Sequence, residues 1–251
     1  MTGLFDLSGR TAVITGANTG IGQGITVALA QAGASIVAVG RSPMDETREL
    51  VAKTGASFHA VKADLSTIEP VGRIVEEALT ATGSLDILVN NAGIIRRNDA
   101  VDFTEADWDA VIDTNLKSVF FLSQAAARHM LPKGQGKIIN IASLLSFQGG
   151  IRIPSYTASK SGLAGLTRLL ACEWAGKGLN VNAIAPGYFV TNNTEALRAD
   201  EKRSAEILGR IPAGRWGQPS DIGGAAVFLA SAAADYVHGT VLPVDGGWLA
   251  R

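Results

Sequence analysis

The sequence predicts an α/β protein built on one doubly wound sheet of seven parallel strands with helices on both faces. Short β-branched runs alternate with longer helical patterns along the chain. Most of these runs are continuously apolar, as in strands that are buried on both faces of a parallel sheet. The 251 residues are 47% hydrophobic and 18% charged, which suits one large core and excludes a disordered chain.

The elements follow in order along the chain. The expected strands are Thr11–Thr15, Ser35–Gly40, Phe58–Lys62, Ile87–Asn90, Lys137–Ile141, Asn180–Ile184 and Val241–Val244. The expected helices are Gly20–Gln31, Met44–Thr54, Thr67–Thr82, Thr104–Met130, Tyr156–Gly176 and Pro219–Ala232. No repeat or linker interrupts this order, so we expect residues 1–251 to form a single domain. Residues 186–218 are rich in Pro and Gly and break the alternation, which predicts a substrate-loop insertion at the carboxyl edge of the sheet, where ligands bind in such folds.

Composition excludes several classes of function. The net charge of −1 offers no basic excess for nucleic acid. The single cysteine, Cys172, cannot form an internal disulfide, and its position beside Leu169 and Leu170 predicts a buried thiol. The three histidines share no ligand spacing, so we expect no metal. Residues 11–40 carry no charge, but six glycines and eight Thr, Asn, Gln or Ser residues argue against a membrane span. Residues 1–10 lack the apolar run of a signal peptide, which predicts a cytoplasmic protein.

A glycine-rich turn joins the first strand to the first helix. It reads Thr15-Gly16-Ala17-Asn18-Thr19-Gly20-Ile21-Gly22. Glycines allow the backbone to turn sharply and approach a phosphate, and the free N–H groups of the helix then face the negative charge. An ordinary turn is the alternative, but the position between strand and helix favours a Rossmann-type dinucleotide site.

The motifs together resemble the short-chain dehydrogenase/reductase family over essentially the whole chain. The glycine spacing is Gly-x-x-x-Gly-x-Gly, and the other matching segments follow in the family's order. They are Asn90-Asn91-Ala92-Gly93, Asn115, Ser143, Tyr156-Thr157-Ala158-Ser159-Lys160 and Pro186-Gly187. The resemblance implies an NAD(P)-dependent oxidoreductase acting on CH–OH groups, and a homotetramer.

Tyr156 and Lys160 are the expected catalytic pair. Their spacing of four places them on one face of a helix. Reduction of a ketone needs a proton donor at the carbonyl oxygen, and a nearby ammonium should lower the phenol pKa from its usual value of about 10. Alternatively, the two residues could be an ordinary pair on the exposed surface of a helix. Ser143 can orient the substrate oxygen, and the resemblance implies that Asn115 supports a water chain leading to Lys160 and that Lys160 holds the nicotinamide ribose.

The resemblance also implies further cofactor contacts, each of which could instead be a structural turn residue. Asp64 would meet the adenine, Asn91 would line the adenosine ribose, and Thr191 would bond the nicotinamide amide. The complete predicted cofactor set is Gly16, Asn18, Thr19, Gly20, Ile21, Gly22, Arg41, Ser42, Asp64, Leu65, Asn91, Ala92, Gly93, Tyr156, Lys160, Pro186, Gly187 and Thr191.

The end of the second strand bears on the choice between NAD and NADP. NAD-specific sites usually place an acidic residue there, on the ribose 2′-hydroxyl. Here the strand ends in Val39-Gly40-Arg41-Ser42. Arg41 could pair with a 2′-phosphate and Ser42 could donate to it, so the sequence favours NADP. A solvated arginine is the alternative.

Arginines next to the site motifs predict an anionic substrate. Arg96 and Arg97 follow Asn90–Gly93, and Arg152 precedes Tyr156 by four residues. Guanidinium groups recognise carboxylates through paired hydrogen bonds, although these arginines could also be solvated loop residues. We predict Arg96, Arg152 and Gln148 as substrate contacts. Closer resemblance, carried by residues 148–152, 191–194, 197–200 and 244–251, implies a six-carbon sugar acid and a role in uronate and pectin breakdown.

Two other functions are compatible with the same fold. One is reduction of another carbonyl, such as a 3-oxoacyl thioester or a neutral sugar. A thioester enzyme would carry a basic surface for its carrier protein, which a net charge of −1 does not support. The other is a non-catalytic nucleotide-binding regulator, but such proteins typically lose the Tyr or Lys that this chain retains.

Overall fold

A computed structural model describes residues 3–251. Its seven strands form one parallel sheet in the order β3-β2-β1-β4-β5-β6-β7. The strands are β1 Thr11–Thr15, β2 Ser35–Gly40, β3 Phe58–Lys62, β4 Ile87–Asn90, β5 Gly136–Ile141, β6 Leu179–Pro186 and β7 Val241–Val244. The predicted α/β class and seven-stranded sheet are confirmed. The assignment of residues 1–251 to a single domain stays a prediction, although one sheet draws strands from both ends of the chain.

The helices match most of the predicted segments. They are α1 Gly20–Gln31, α2 Asp45–Ala52, α3 Val71–Thr82, α4 Glu105–Ile112, α5 Ser118–Met130, α6 Pro154–Trp174, α7 Glu195–Ala199, α8 Glu201–Leu208 and α9 Gly223–Ala230. The expected start of α3 at Thr67 was wrong. Pro70 stands at the N-cap and marks the beginning of that helix, because proline lacks a backbone donor. The predicted helix Thr104–Met130 is divided by a π-helical turn over Asp113–Lys117.

Two apolar clusters cover the two faces of the sheet. Successive residues of a strand point to opposite faces, so Ile14 of β1 packs with α1 and α9, whereas Val13 packs with α3, α5 and α6. All five residues of β1 and all eight of β6 are buried. This burial explains why the strands read as continuous apolar runs rather than as alternating ones.

Cys172 is exposed, so the prediction of a buried thiol was wrong. The buried face of α6 follows Thr167, Leu170, Ala171 and Trp174, and position 172 falls outside this stripe. No helix within residues 3–251 combines the length and apolarity needed to cross a bilayer.

The insertion after β6 folds into a 3₁₀ turn at Asn192–Thr194 followed by α7 and α8. Ile207 and Ile211, at the end of this segment, pack with Leu144 after β5 and with Trp248 near the C-terminus. The insertion therefore lies over the carboxyl end of β5, where the predicted catalytic serine stands.

Candidate active site

A cleft of about 1090 Å³ opens at the carboxyl edge of the sheet. Every residue of the predicted cofactor set lines it, and so do Ser143, Arg96 and Gln148. Asn115 and Arg152 are not among its lining residues. One end of the cleft is formed by the glycine turn, and the other by the segment after β5 and the insertion.

The glycine turn has the geometry that a phosphate requires. Gly16 and Gly20 have φ angles of 65° and 56°, which side chains other than glycine rarely adopt. A Cβ atom on Gly22 would lie 2.1 Å from the Gly16 carbonyl oxygen. The Asn91 amide donates to that same oxygen at 3.1 Å and holds the turn against β4. The N-cap of α1, Thr19, makes no side-chain cap bond, so the positive end of α1 faces the cleft and fits a pyrophosphate.

The loop after β6 completes this end of the cleft. A Cβ atom on Gly20 would lie 3.2 Å from Cγ2 of Thr191. Thr191 also caps the 3₁₀ turn that begins the insertion. The predicted nicotinamide contact is therefore brought next to the glycine turn.

Arg41 and Ser42 lie on the cleft beside Asp64. The Arg41 guanidinium stands 3.8 Å from the Asp64 carboxylate, and both side chains are more than half exposed. A backbone hydrogen bond from Ser66, assisted by the charge of Arg41, lowers the pKa of Asp64. Exposed pairs of this kind contribute little energy, so Arg41 remains available to a phosphate.

Tyr156 and Lys160 are neighbours on α6, as their spacing predicts. Lys160 is 5% exposed, and its Nζ donates to the Ile141 carbonyl at 2.6 Å. The same Nζ lies 5.7 Å from the centre of the Tyr156 ring. Burial lowers the pKa of Lys160 to about 8.

The pKa of Tyr156 differs from the expectation. Burial raises it above 10, while Ser143 and the positive charge of Arg97 act in the opposite direction. Lys160 is not among the groups that lower this pKa, and desolvation of the phenolate outweighs the contributions of Ser143 and Arg97. Tyr156 therefore keeps its proton at neutral pH, which is the state that a proton donor to a ketone needs.

Ser143 and Asn115 have different surroundings. Ser143 caps a 3₁₀ turn at Leu144–Ser146, and its Oγ accepts a hydrogen bond from the Leu145 N–H. Asn115 is fully buried in the π-helical turn and bonds both backbone groups of Ile94, at 2.8 and 2.9 Å. Its Nδ2 also contacts Ser159 Oγ at 3.4 Å. Asn115 thus ties the loop after β4 to the catalytic helix.

Of the three arginines next to the site motifs, Arg96 and Arg152 pair with acidic side chains. Arg152 has a φ of 65°, and its guanidinium pairs with Asp99 at 3.0 Å, outside the lining of the cleft. This partner lies on another loop, and the role of Arg152 as a substrate contact stays a prediction. Arg96 lines the cleft but pairs with Asp107 at 3.2 Å. Arg97 also lines the cleft, and its charge acts on Tyr156.

Gln148 meets the C-terminal segment. Its Oε1 accepts a hydrogen bond from the Trp248 indole at 3.1 Å. The Arg210 guanidinium lies 4.0 Å from the centre of the same indole, and both Arg210 and Trp248 line the cleft. Sequence reasoning did not identify Arg210, because no local spacing connects residues 148, 210 and 248.

This fold and site define an NAD(P)-dependent dehydrogenase: a glycine turn for a dinucleotide faces a serine, a tyrosine and a lysine at the same sheet edge. The family described as Enoyl-(Acyl carrier protein) reductase matches residues 16–249. With the relatives that follow, this match shows that the chain belongs to the short-chain dehydrogenase/reductase family.

The relatives agree along nearly their whole length. A protein of Escherichia coli (strain K12) named 2-dehydro-3-deoxy-D-gluconate 5-dehydrogenase is 60% identical over 98% of both chains. A Bacillus subtilis (strain 168) protein of the same name is 58% identical, over 98% of this chain and 97% of its own. A crystal structure from Agrobacterium tumefaciens, described as a candidate 2-deoxy-D-gluconate 3-dehydrogenase with bound NADP, has a TM-score of 0.93. It is 62% identical over 99% of both chains.

Proposed function

We propose that this protein interconverts a secondary alcohol and a ketone on a six-carbon sugar acid, as a 2-dehydro-3-deoxy-D-gluconate 5-dehydrogenase does. The names of relatives at 58–60% identity support this substrate class. The corresponding role is in the breakdown of uronates and pectin.

The observation that carries the proposal is the positive charge on the substrate side of the cleft. Arg97 lines this side, and its charge acts on the Tyr156 phenol. No carboxylate of residues 3–251 pairs with Arg97, whose guanidinium instead donates to the Asn193 carbonyl at 3.2 Å. A guanidinium at a cleft without an adjacent counter-ion adds positive potential there, which favours an anionic ligand.

In this reaction Tyr156 gives its proton to the carbonyl oxygen during reduction and takes a proton from the hydroxyl during oxidation. Ser143 donates a hydrogen bond to the same oxygen and orients it. Lys160 keeps a cation beside the phenol ring and would hold the nicotinamide ribose of the cofactor. A bound nicotinamide would supply or accept the hydride at the reacting carbon. Asn115 holds the loop after β4 against α6 and so maintains the spacing of these groups.

We propose NADP(H) as the preferred cofactor. The cleft carries Arg41 and Ser42 where an NAD site usually carries an acid. The Agrobacterium tumefaciens relative was crystallised with NADP, which supports the same preference.

A substrate panel tests the proposal. Reduction of 5-keto and 3-keto six-carbon acids, a neutral ketose and a 3-oxoacyl thioester would each be followed with NADPH and with NADH. We expect the highest kcat/KM for a sugar acid with NADPH, and loss of that activity in Tyr156→Phe. Faster turnover of the thioester or of the neutral sugar would replace this function by the corresponding alternative.

We also propose that the protein is a cytoplasmic homotetramer. We expect α4 and α6 to contribute to one interface, because each exposes a large apolar side chain: Trp108 on α4 is 41% exposed and Leu169 on α6 is 50% exposed. We infer the cytoplasmic location from the dependence of the enzyme on a diffusible nicotinamide cofactor. Light scattering should give four chains for the wild type and a smaller mass for Leu169→Arg. A monomeric wild type at micromolar concentration would contradict the assembly.

A further inference from the structure

We propose that Arg210, whose guanidinium lies over the Trp248 indole, binds the carboxylate of the substrate. The inference rests on the proposed function and deepens it. It assigns a specificity role to Arg210, which lies far from the catalytic serine, tyrosine and lysine in the sequence.

The pairing of charges in the cleft distinguishes Arg210 from most of its neighbours. Five arginines line the cleft. Three pair with carboxylates within 4.0 Å: Arg41 with Asp64, Arg96 with Asp107, and Arg203 with Glu206. Within residues 3–251, neither Arg97 nor Arg210 has such a partner. The cleft thus offers two guanidinium groups whose charge is not already neutralised by an adjacent acid.

Arg210 is oriented by an aromatic platform. Trp248 is only 4% exposed, and its indole donates a hydrogen bond to Gln148. The ring also packs against Tyr188, with 4.7 Å between the two ring centres, so its orientation is fixed. A guanidinium whose Cζ lies 4.0 Å from the ring centre is in cation–π contact with the indole. Among the described residues its N–H groups bond no side chain or carbonyl. A guanidinium positioned in this way with free donors suits a carboxylate, which takes two parallel hydrogen bonds.

The two arginines without an adjacent acid have different surroundings. The Arg97 guanidinium donates to the Asn193 carbonyl at 3.2 Å. The Arg210 guanidinium lies over the Trp248 ring and keeps its donors for another partner. Arg210 is therefore the better-suited partner for a carboxylate, and Arg97 is left for the hydroxyl oxygens of the substrate.

The test compares Arg210→Gln with the matched variant Arg203→Gln, which removes a cleft arginine already paired with an acid. Steady-state reduction of a 5-keto six-carbon acid and of its primary amide would be measured with NADPH. For Arg210→Gln we expect KM for the acid to rise about 10- to 100-fold, the loss typical of a charge-assisted hydrogen bond. Its kcat, its KM for NADPH and its KM for the amide should change less than about threefold.

Arg210→Lys should recover only part of the affinity, because it keeps the charge and loses the planar fork. Arg203→Gln should behave as the wild type. An equal rise in KM for acid and amide, or the same effect in both glutamine variants, would overturn the assignment.

A binding measurement separates this inference from the proposed function. Calorimetric titration of the NADP-loaded protein with D-gluconate should show binding that Arg210→Gln loses and Arg203→Gln keeps. If the wild type turned over no sugar acid but bound gluconate through Arg210, the function would fail and the carboxylate site would stand. Absence of gluconate binding, or equal binding by all variants, would refute the site.

Discussion

Replacement of Lys160 by methionine is expected to remove activity and yet stabilise the protein at neutral pH. Lys160 is 5% exposed, and burial lowers its pKa from 10.5 to about 8. That difference corresponds to roughly 3.4 kcal/mol, at about 1.36 kcal/mol per pH unit, by which folding disfavours the ammonium. The substitution also removes the donor to the Ile141 carbonyl, at a loss of about 1–3 kcal/mol. The net gain at pH 7 is therefore about 0.4–2.4 kcal/mol.

The difference in stability between the wild type and Lys160→Met should depend on pH. Below pH 8 the ammonium is charged in the folded and the unfolded protein, and the full desolvation penalty applies. Between pH 8 and 10.5 only the unfolded chain keeps the proton, so wild-type stability rises relative to the variant. By about pH 9.5 the penalty falls to roughly 1.4 kcal/mol, and the advantage of Lys160→Met disappears.

Urea unfolding followed by circular dichroism would measure the effect at about pH 7 and about pH 9.5, without cofactor and at one protein concentration. Lys117→Met is the matched control, because Lys117 is half-exposed and pairs with Asp113 on the surface. Its effect should stay within about 0.5 kcal/mol at both pH values. A Lys160→Met variant less stable than the wild type at pH 7, or an unchanged difference across the range, would refute the reasoning.

Three further outcomes follow from the cleft. Tyr156→Phe should lower kcat about 10²- to 10⁴-fold with little change in NADPH affinity, as stopped-flow and fluorescence titration can show; near-normal kcat would exclude Tyr156 as the proton donor. Arg41→Ala should raise KM for NADPH by about 10- to 100-fold and leave KM for NADH nearly unchanged, and equal effects would show that Arg41 does not read the phosphate. Gly22→Ala should abolish NADPH binding, because its Cβ would meet the Gly16 carbonyl at 2.1 Å, whereas Gly72→Ala, with open space around the added atom, should bind normally; binding by both would disprove the steric argument.

Features that are determined by residues close together in the chain could be predicted from the sequence. The glycine turn and the Tyr156–Lys160 pair are local patterns, and the structure places both on the cleft. The ion pair between Arg152 and Asp99 could not be predicted, because it depends on how two loops meet. Arg210 was missed for the same reason, since its platform is 38 residues further along the chain. The balance of effects on the pKa of Tyr156 depends on burial, which no motif encodes.

The insertion after β6 is attached to the rest of the protein mainly through the apolar contacts of Ile207 and Ile211, while most residues of α8 face solvent. The nucleotide end, by contrast, is shaped by backbone atoms in van der Waals contact, such as those around Gly16 and Gly22. Substitutions on the outer surface of the insertion should therefore change the folding stability little. Substitutions in the glycine turn should not be tolerated. Directed evolution toward other hydroxy acids should accumulate its accepted changes between residues 192 and 210 and leave the glycine turn intact.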